Sequence, residues 1–290
     1  MHSSRRRSYF WFMSSLSPSD LILREDGSVY HLGLLPSDLS HTILTVGDPA
    51  RVPLVSRYFD SIRVKKSQRE FVCHTGTLDG KELTVLSTGM GSSNIEIVMI
   101  ELDQLVNVNL ATRKPRSHHT TLNIIRMGTS GSVSSDLVCG DLVLSAEATA
   151  LDGLHHFYPV GHSTDLPLMH DQLWLGGLYR ARYADDLADQ LSLPCKRTRT
   201  YTAQGFYAPQ GRPSRVGADT RIRDFLSEEQ LEHIEMETAA IYHMATYLGH
   251  RACSFSVILA ERLHGRFTED PVREVDQMIK TVVRAASKLP

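Results

Sequence analysis

Two short stretches combine glycine, a small polar residue and arginine in a way that suits an anion. Gly47-Asp48-Pro49-Ala50-Arg51 follows an apolar run and opens a helix. Glycine there lets backbone N–H groups approach a ligand, the helix N-terminus adds partial positive charge, and Arg51 adds a fork of donors. Arg126-Met127-Gly128-Thr129-Ser130-Gly131 repeats the combination at the end of a second apolar run. Each has a plainer reading alone, because Gly-Asp-Pro is ordinary turn chemistry and a single strand-end arginine is usually a surface residue. Together they point to phosphate. Glu235-Met236-Glu237 stands at a helix start, where acids complement the helix dipole. A carboxylate there could equally accept hydrogen bonds from neighbouring sugar hydroxyls, with methionine against the apolar sugar face. Both readings stay open on these residues alone.

Other candidates carry less. Gly89-Met90-Gly91 resembles the start of a dinucleotide-binding turn, but Asn94 occupies the place of the third glycine. The histidine pairs His118-His119 and His155-His156 lack the spacing of zinc ligands and read as solvated loops, so no metal is assigned. Cys73, Cys139, Cys195 and Cys253 form no C-x-x-C pair and read as free thiols in a reducing, cytoplasmic setting.

The elements that must position these residues alternate between strand and helix. His41–Val46 is a short β-branched run, and Pro49 suits the first turn of a helix running to about Phe59. Glu70–Leu78 and Leu83–Ser87 read as strands joined by Asp79-Gly80, a strong hairpin signal. Ile95, Val98, Met99, Leu102 and Leu105 recur at helical spacing over Asn94–Val106. Leu122–Met127 and Asp141–Ala146 read as buried strands. A His-rich loop (His155–His170) precedes a helix predicted over Leu173–Leu191, and Arg199–Ala203 is strand-like. Glu237–Leu248 is a helix closed by Gly249, Ala252–Leu259 a buried strand, and Val272–Leu289 an amphipathic final helix. Buried strands between helices mean an α/β sandwich with a parallel or mixed sheet in a single domain.

Bulk composition agrees with that class. The 290 residues are 41% hydrophobic and 22% charged, ordinary for a globular chain. A formal charge of −2 gives no global field for nucleic acid or anionic lipid, so any bound anion needs a local arginine cluster. No run of 18 apolar residues suggests a membrane span. Residues 1–18, with Arg5–Arg7 followed by Tyr9–Phe12, have too short an apolar run for a signal peptide and read as a disordered extension. Residues 19–290 would form the domain.

Taken together, the ordered motifs resemble the nucleoside phosphorylase superfamily, and within it the uridine phosphorylases. From His31 onward they run His31-Leu-Gly-Leu34, Gly47–Arg51, Arg69-Glu-Phe71, Ser87-Thr-Gly-Met-Gly91, Arg126–Gly131, Phe206-Tyr-Ala-Pro-Gln-Gly-Arg212 and Ile234-Glu-Met-Glu-Thr238. The Phe206–Arg212 segment is the specific one, because Gln and Arg two apart resemble the family's pyrimidine-binding stretch. The resemblance implies an α/β/α sandwich with a central mixed, partly barrel-like sheet. It implies a pentosyltransferase that splits uridine, or deoxyuridine, with inorganic phosphate in pyrimidine salvage, with no organic cofactor. Phosphate would lie against Gly47, Arg51, Arg126 and Thr129, with Arg69 from a neighbouring subunit. Glu237 and Met236 would hold the ribose, with His31 of a partner at the 5′-hydroxyl. Phe206, Gln210, Arg212 and Arg262 would hold the base, and Arg126, Glu237 and Arg262 would carry the catalytic burden.

Shared sites imply a homodimer as the minimum unit and a homohexamer by likeness to bacterial members. Some members also bind a monovalent cation near the equivalents of Glu70, Met90 and Asn94, at an interface where the family has Ser in place of Asn94. Glu261-Arg262 departs from the usual Asn-Arg. Glu261 is read as a structural partner of Arg262, the alternative being the base-protonating acid of a purine nucleoside phosphorylase. A hydrolytic nucleosidase on the same fold is the other alternative.

Overall fold

The unbroken apolar run of β1 (Thr42–Val46) is buried along its whole length, as a strand covered on both faces must be. In the computed structural model the described residues are 15–160, 178–215, 217 and 221–290. After β1 come α1 (Arg51–Ser56), β2 (Ser61–Gln68), β3 (Phe71–Leu78), β4 (Lys81–Ser87) and α2 (Ser92–Asn107). A small ribbon, β5 (Val108–Asn109) and β6 (Lys114–Pro115), leads to β7 (Asn123–Ser132) and β8 (Leu142–Ala150). Then follow α3 (Leu154–Phe157), β9 (Tyr179–Arg182), α4 (Asp185–Leu191), β10 (Lys196–Thr202) and α5 (Arg221–Glu228). The chain closes with β11 (His233–Glu235), α6 (Thr238–Leu248), β12 (Arg251–Glu261), β13 (Arg266–Phe267) and α7 (Pro271–Ala286).

β7 is the hinge of the topology. It pairs in parallel with β1 and β12 and antiparallel with β11. β12 continues antiparallel to β8, β8 parallel to β10, and β10 parallel to β11, which returns to β7. Five strands therefore close into a barrel, and β1, β4, β3 and β2 extend from β7 as an open sheet. Helices flank this sheet: α6 packs on β8, β12 and α2, while α7 packs on β7, β12 and α1. The mixed, partly barrel-like α/β architecture is the one expected.

Local chemistry explains the better-read elements. Asp79 (φ 51) and Gly80 (φ 77) both occupy left-handed conformations, the geometry of a two-residue I′ hairpin, and Leu78 pairs with Lys81 across it. Asp270 accepts the Arg273 N–H at 3.0 Å and Pro271 occupies the first turn of α7. Val275, Met278, Ile279, Val282, Val283 and Ala286 then form one buried stripe. Emptying such a site, as in Ile279→Ala, costs about 2–5 kcal/mol.

Several boundaries differ from the sequence reading. Helix α1 stops at Ser56 rather than Phe59, and β7 and β8 run further, to Ser132 and Ala150. The helix expected over Leu173–Leu191 is corrected. Residues 173–177 lie outside the described residues, Tyr179–Arg182 is a strand antiparallel to β8, and only Asp185–Leu191 is helical. Leu178, Tyr179 and Ala181 do sit at apolar positions compatible with a helix, but pairing to β8 overrides that local pattern. Strand β2 was not anticipated, because its alternation is between exposed and half-buried residues rather than between polar and apolar ones. Of the histidine-rich loop expected over His155–His170, residues 161–170 lie outside the description, as do residues 1–14 of the expected extension, whereas His155 and His156 lie in α3, with His155 buried rather than solvated. Leu16 is already tied to the chain by its N–H donating to the Arg113 carbonyl at 2.8 Å. All four cysteines are unpaired, with Cys73 and Cys253 buried. No helix among the described residues is long and apolar enough to cross a membrane.

Candidate active site

Strand β7 carries Arg126 mid-strand, with 6% exposure. Its Nη2 donates to Glu237 Oε2 at 2.7 Å and lies 3.0 Å from Glu235 Oε2, while Nη1 donates to Ser254 and Ser256 hydroxyls at 3.3 and 3.1 Å. Burial opposes the charge, but Glu235 and Glu237 outweigh it and hold the guanidinium above its ordinary pKa. The chain two residues on must be glycine. A Cβ at Gly128 would meet Arg126 Nη1 at 2.0 Å, so only a bare backbone lets the guanidinium lie along its own strand.

The acidic motif divides its labour. Glu235 accepts the Glu237 and Thr238 N–H groups, both at 2.9 Å, together with the Thr202 hydroxyl. It thus closes the first turn of α6 while it pairs with Arg126. Glu237, 6% exposed, accepts the Gly91 N–H at 2.9 Å through its other oxygen. Burial, with Glu235 adding repulsion, raises its pKa against the pull of Arg126 and of that N–H.

A cleft of about 850 Å³ opens over these groups. Gly47, Arg51, Arg126 and Thr129 line it, as do Met236 and Glu237, and so do Phe206, Gln210 and Arg212. At the β1 exit, Asp48 accepts the Ala50 N–H at 2.8 Å and sets the turn that brings Arg51 inward. The Arg51 guanidinium has no hydrogen bond or ion pair among the described residues. Desolvation first, and Arg126 beside it, lower its pKa despite Asp48, so an anion in the cleft would relieve it. In the 3-10 turn Ala208–Gln210, Gln210 is 3% exposed and its Oε1 accepts from Arg212 Nε at 3.3 Å, while Arg212 lies 4.3 Å over the Phe206 ring.

Three expected residues do not line the cleft. Arg262 lies behind Gly131, donating to the Gln210 carbonyl at 2.6 Å, with its Nη1 buried and unpartnered. Burial, Arg212 and Arg223 push its pKa down to about 10. His31 is held at Glu101, Nδ1 to Oε1 at 2.6 Å. Arg69, at φ 54 in the β2–β3 turn, lies 5.5 Å over the Tyr30 ring. Glu70, Met90 and Asn94 do line the cleft.

Glu261 requires a correction. Its partner is Arg266, with Nε to Oε2 at 3.0 Å, and it also accepts the Cys139 N–H at 3.1 Å; Arg262 is not its partner. The Cys139 amide, then Arg266, lower its pKa, so it stays an anion. Sequence reading also passed over Ser254 and Ser256, whose alternation within an apolar strand marks the inward face, and Phe267, which lines the cleft while 64% exposed. Asp103, His119 and His250, by contrast, come together only in the fold.

These features belong to a known class. The Phosphorylase superfamily profile matches residues 41–289, and the chain belongs to that family. It is 27% identical over 264 residues to a uridine phosphorylase of Thermococcus kodakarensis, covering 90% of this chain and 87% of that protein. A DeoD-type purine nucleoside phosphorylase of Myxococcus xanthus is 24% identical over 263 residues, covering 90% and 98%. Among solved structures, a Trypanosoma brucei nucleoside phosphorylase described as having uridine phosphorylase activity superposes with a TM-score of 0.75 at 24% identity, covering 93% and 98%.

Proposed function

We propose that the protein is a uridine phosphorylase that converts uridine and inorganic phosphate to uracil and ribose 1-phosphate. Residues 19–290 form its domain in this reading. The observation that carries the base assignment is the Gln210–Arg212 pair in the cleft wall, 3.3 Å apart, while Glu261 is engaged by Arg266 away from the cleft. Uracil presents carbonyl, N–H and carbonyl along one edge. An amide both donates and accepts and a guanidinium donates, so the pair matches that edge. Phe206 would pack on the ring, and Arg262, behind Gly131, would act on the base through the Gln210 carbonyl that it holds at 2.6 Å.

Phosphate would bind at Arg51, Gly47, Thr129 and Arg126. Within one chain the two arginines are balanced by Glu235 and Glu237, so a dianion calls for a further cation. Arg69 of a second copy would supply it, and His31 of that copy would reach the 5′-hydroxyl. The working unit is then a homodimer, assembled into a hexamer, in the cytoplasm. Glu237, beside Met236, would accept from the ribose hydroxyls.

As the glycosidic bond breaks, the sugar becomes cationic and the base anionic. Glu237 and phosphate stabilise the first, and donors from Gln210 and Arg212, with Arg262 holding Gln210 in place, the second, both more strongly than in the ground state. Phosphate then captures C1′. The residues do this without an organic cofactor, and a monovalent cation near Glu70 would act only at the interface. The test is product formation from uridine and from inosine, each with and without phosphate. Phosphate-dependent uracil release is the expected result. Inosine cleavage with uridine untouched, or uracil release without phosphate, would overturn it.

A further inference from the structure

We propose that Asp103, His119 and His250 form a binding site for a divalent transition-metal ion of the zinc type, at the opposite end of β7 and β12 from the cleft. Asp103 lies in the last turn of α2, His119 in the loop before β7, and His250 between α6 and β12. One ligand atom from each lies within 4.8 Å of the others. The His250 side chain is wholly buried, and its Nε2 has no hydrogen-bond partner and stands 3.4 Å from Asp103 Oδ1. Ligands held 2.0–2.1 Å from a tetrahedral metal stand about 3.4 Å apart, so this pair already has the edge length of such a site.

The surroundings hold the other two ligands as metal sites do. His119 Nε2 donates to the Leu248 carbonyl at 2.9 Å, which leaves the Nδ1 lone pair outward with only a 3.4 Å contact to the Thr121 hydroxyl. A backbone carbonyl on the far ring nitrogen is the usual device for fixing the tautomer of a ligating imidazole. Asn107 Nδ2 donates to Asp103 Oδ1 at 2.7 Å and steadies the carboxylate. The His119 ring also sits against Gly249, where a Cβ would come within 3.2 Å, so the α6 cap leaves room for it.

Electrostatics favours a cation here. The C-terminal ends of α2 and α6 both approach the site, and neither helix has a basic residue in its last turn. His250 Nδ1 faces the Leu122 N–H at 3.3 Å, a long contact. Metal binding at Nε2 would move the ring proton to Nδ1 and give up that contact, a change of tautomer within a neutral ring. Two imidazoles and a carboxylate select zinc, cobalt or nickel over magnesium or calcium, with water completing the shell. Bound there, the ion would tie α2 to the starts of both central strands.

The test uses the full chain, stripped with a chelator, refilled with Zn(II) and desalted, with retained zinc counted by mass spectrometry. Wild type and the neighbouring control His118→Ala should retain about one zinc per chain and melt higher than the stripped protein. His119→Ala, at an exposed position, and the near-isosteric Asp103→Asn should each weaken retention at least ~10-fold. A parallel Co(II) titration should give the visible spectrum of nitrogen and oxygen ligands. Failure of wild type to retain zinc, equal retention in both variants, or a thiolate spectrum would each overturn the site.

Discussion

The Arg126 guanidinium donates to the Glu237 carboxylate at 2.7 Å although 111 residues separate them in the chain. That contact joins β7 to the β11–α6 junction and brings the anion-suited motif against the acidic one. It couples two proposed halves of the reaction, since the group facing phosphate also sets the charge and aim of the group facing ribose. Glu235 meets the same Nη2 at 3.0 Å while Ser254 and Ser256 accept from Nη1, so the arginine fork is oriented before any ligand arrives.

Replacing that fork should cost activity out of proportion to charge. Arg126→Lys keeps one positive charge but cannot serve two carboxylates and two serines at once. Phosphate-dependent kcat/KM for uridine should fall by roughly 10²-fold. Initial rates across a phosphate series check this, and wild-type phosphate dependence would remove Arg126 from the site.

Gly128→Ala tests the same geometry from the backbone. The new Cβ would stand 2.0 Å from Arg126 Nη1. Because Glu235 and Glu237 pin the guanidinium, it must break those bonds to move. The variant should lose most phosphorolysis while retaining its circular dichroism spectrum; unchanged turnover would mean the fork can relocate freely.

Gln210→Ala should damage uridine use while leaving the phosphate KM nearly unchanged. Losing a site's matched polar partner typically costs about 1–3 kcal/mol, or roughly 10–100-fold in kcat/KM. Unaltered uridine kinetics would place the base elsewhere.

Glu261→Gln separates the pyrimidine reading from the purine one. With its carboxylate engaged by Arg266 and the Cys139 N–H rather than lining the cleft, the substitution should leave uridine turnover close to wild type. Loss of all activity would restore Glu261 as an acid.

His233 gives the fold a pH dependence. It is buried among the Ser130, Thr198 and Thr200 hydroxyls, and desolvation lowers its pKa to about 4. The unfolded chain takes up the proton near pH 6.5, so neutral His233 stabilises the fold fully above that value. The contribution fades as pH falls from about 6.5 to 4, by an order of 3 kcal/mol. Urea melts of wild type and His233→Gln at pH 7.5 and 5 should show a smaller pH difference in the variant. Equal differences would assign the acid lability to other groups.

How much of this was readable in the chain depends on the range of the forces involved. Local signals were sufficient where a decision was local. Asp79-Gly80 could hardly be anything but a tight hairpin, the α7 stripe declared its buried face, and Gly249 marked a helix end, whereas Pro49 stands in the turn before α1 rather than in its first turn. The order of motifs from His31 to Thr238 was enough to place the chain in its family and to collect Arg51, Arg126, Glu237, Gln210 and Arg212 as candidates. Tertiary structure decided the rest. Barrel closure of β12 on β7 turned Ser254 and Ser256 toward Arg126, and pairing with β8 made a strand of Tyr179–Arg182. The β12–β13 hairpin gave Glu261 to Arg266 rather than to its sequence neighbour Arg262. Asp103, His119 and His250 meet only because α2 and α6 end beside the starts of β7 and β12. Side-chain partners and pKa shifts depend on distances of a few ångströms between segments over a hundred residues apart, and no local propensity encodes those distances.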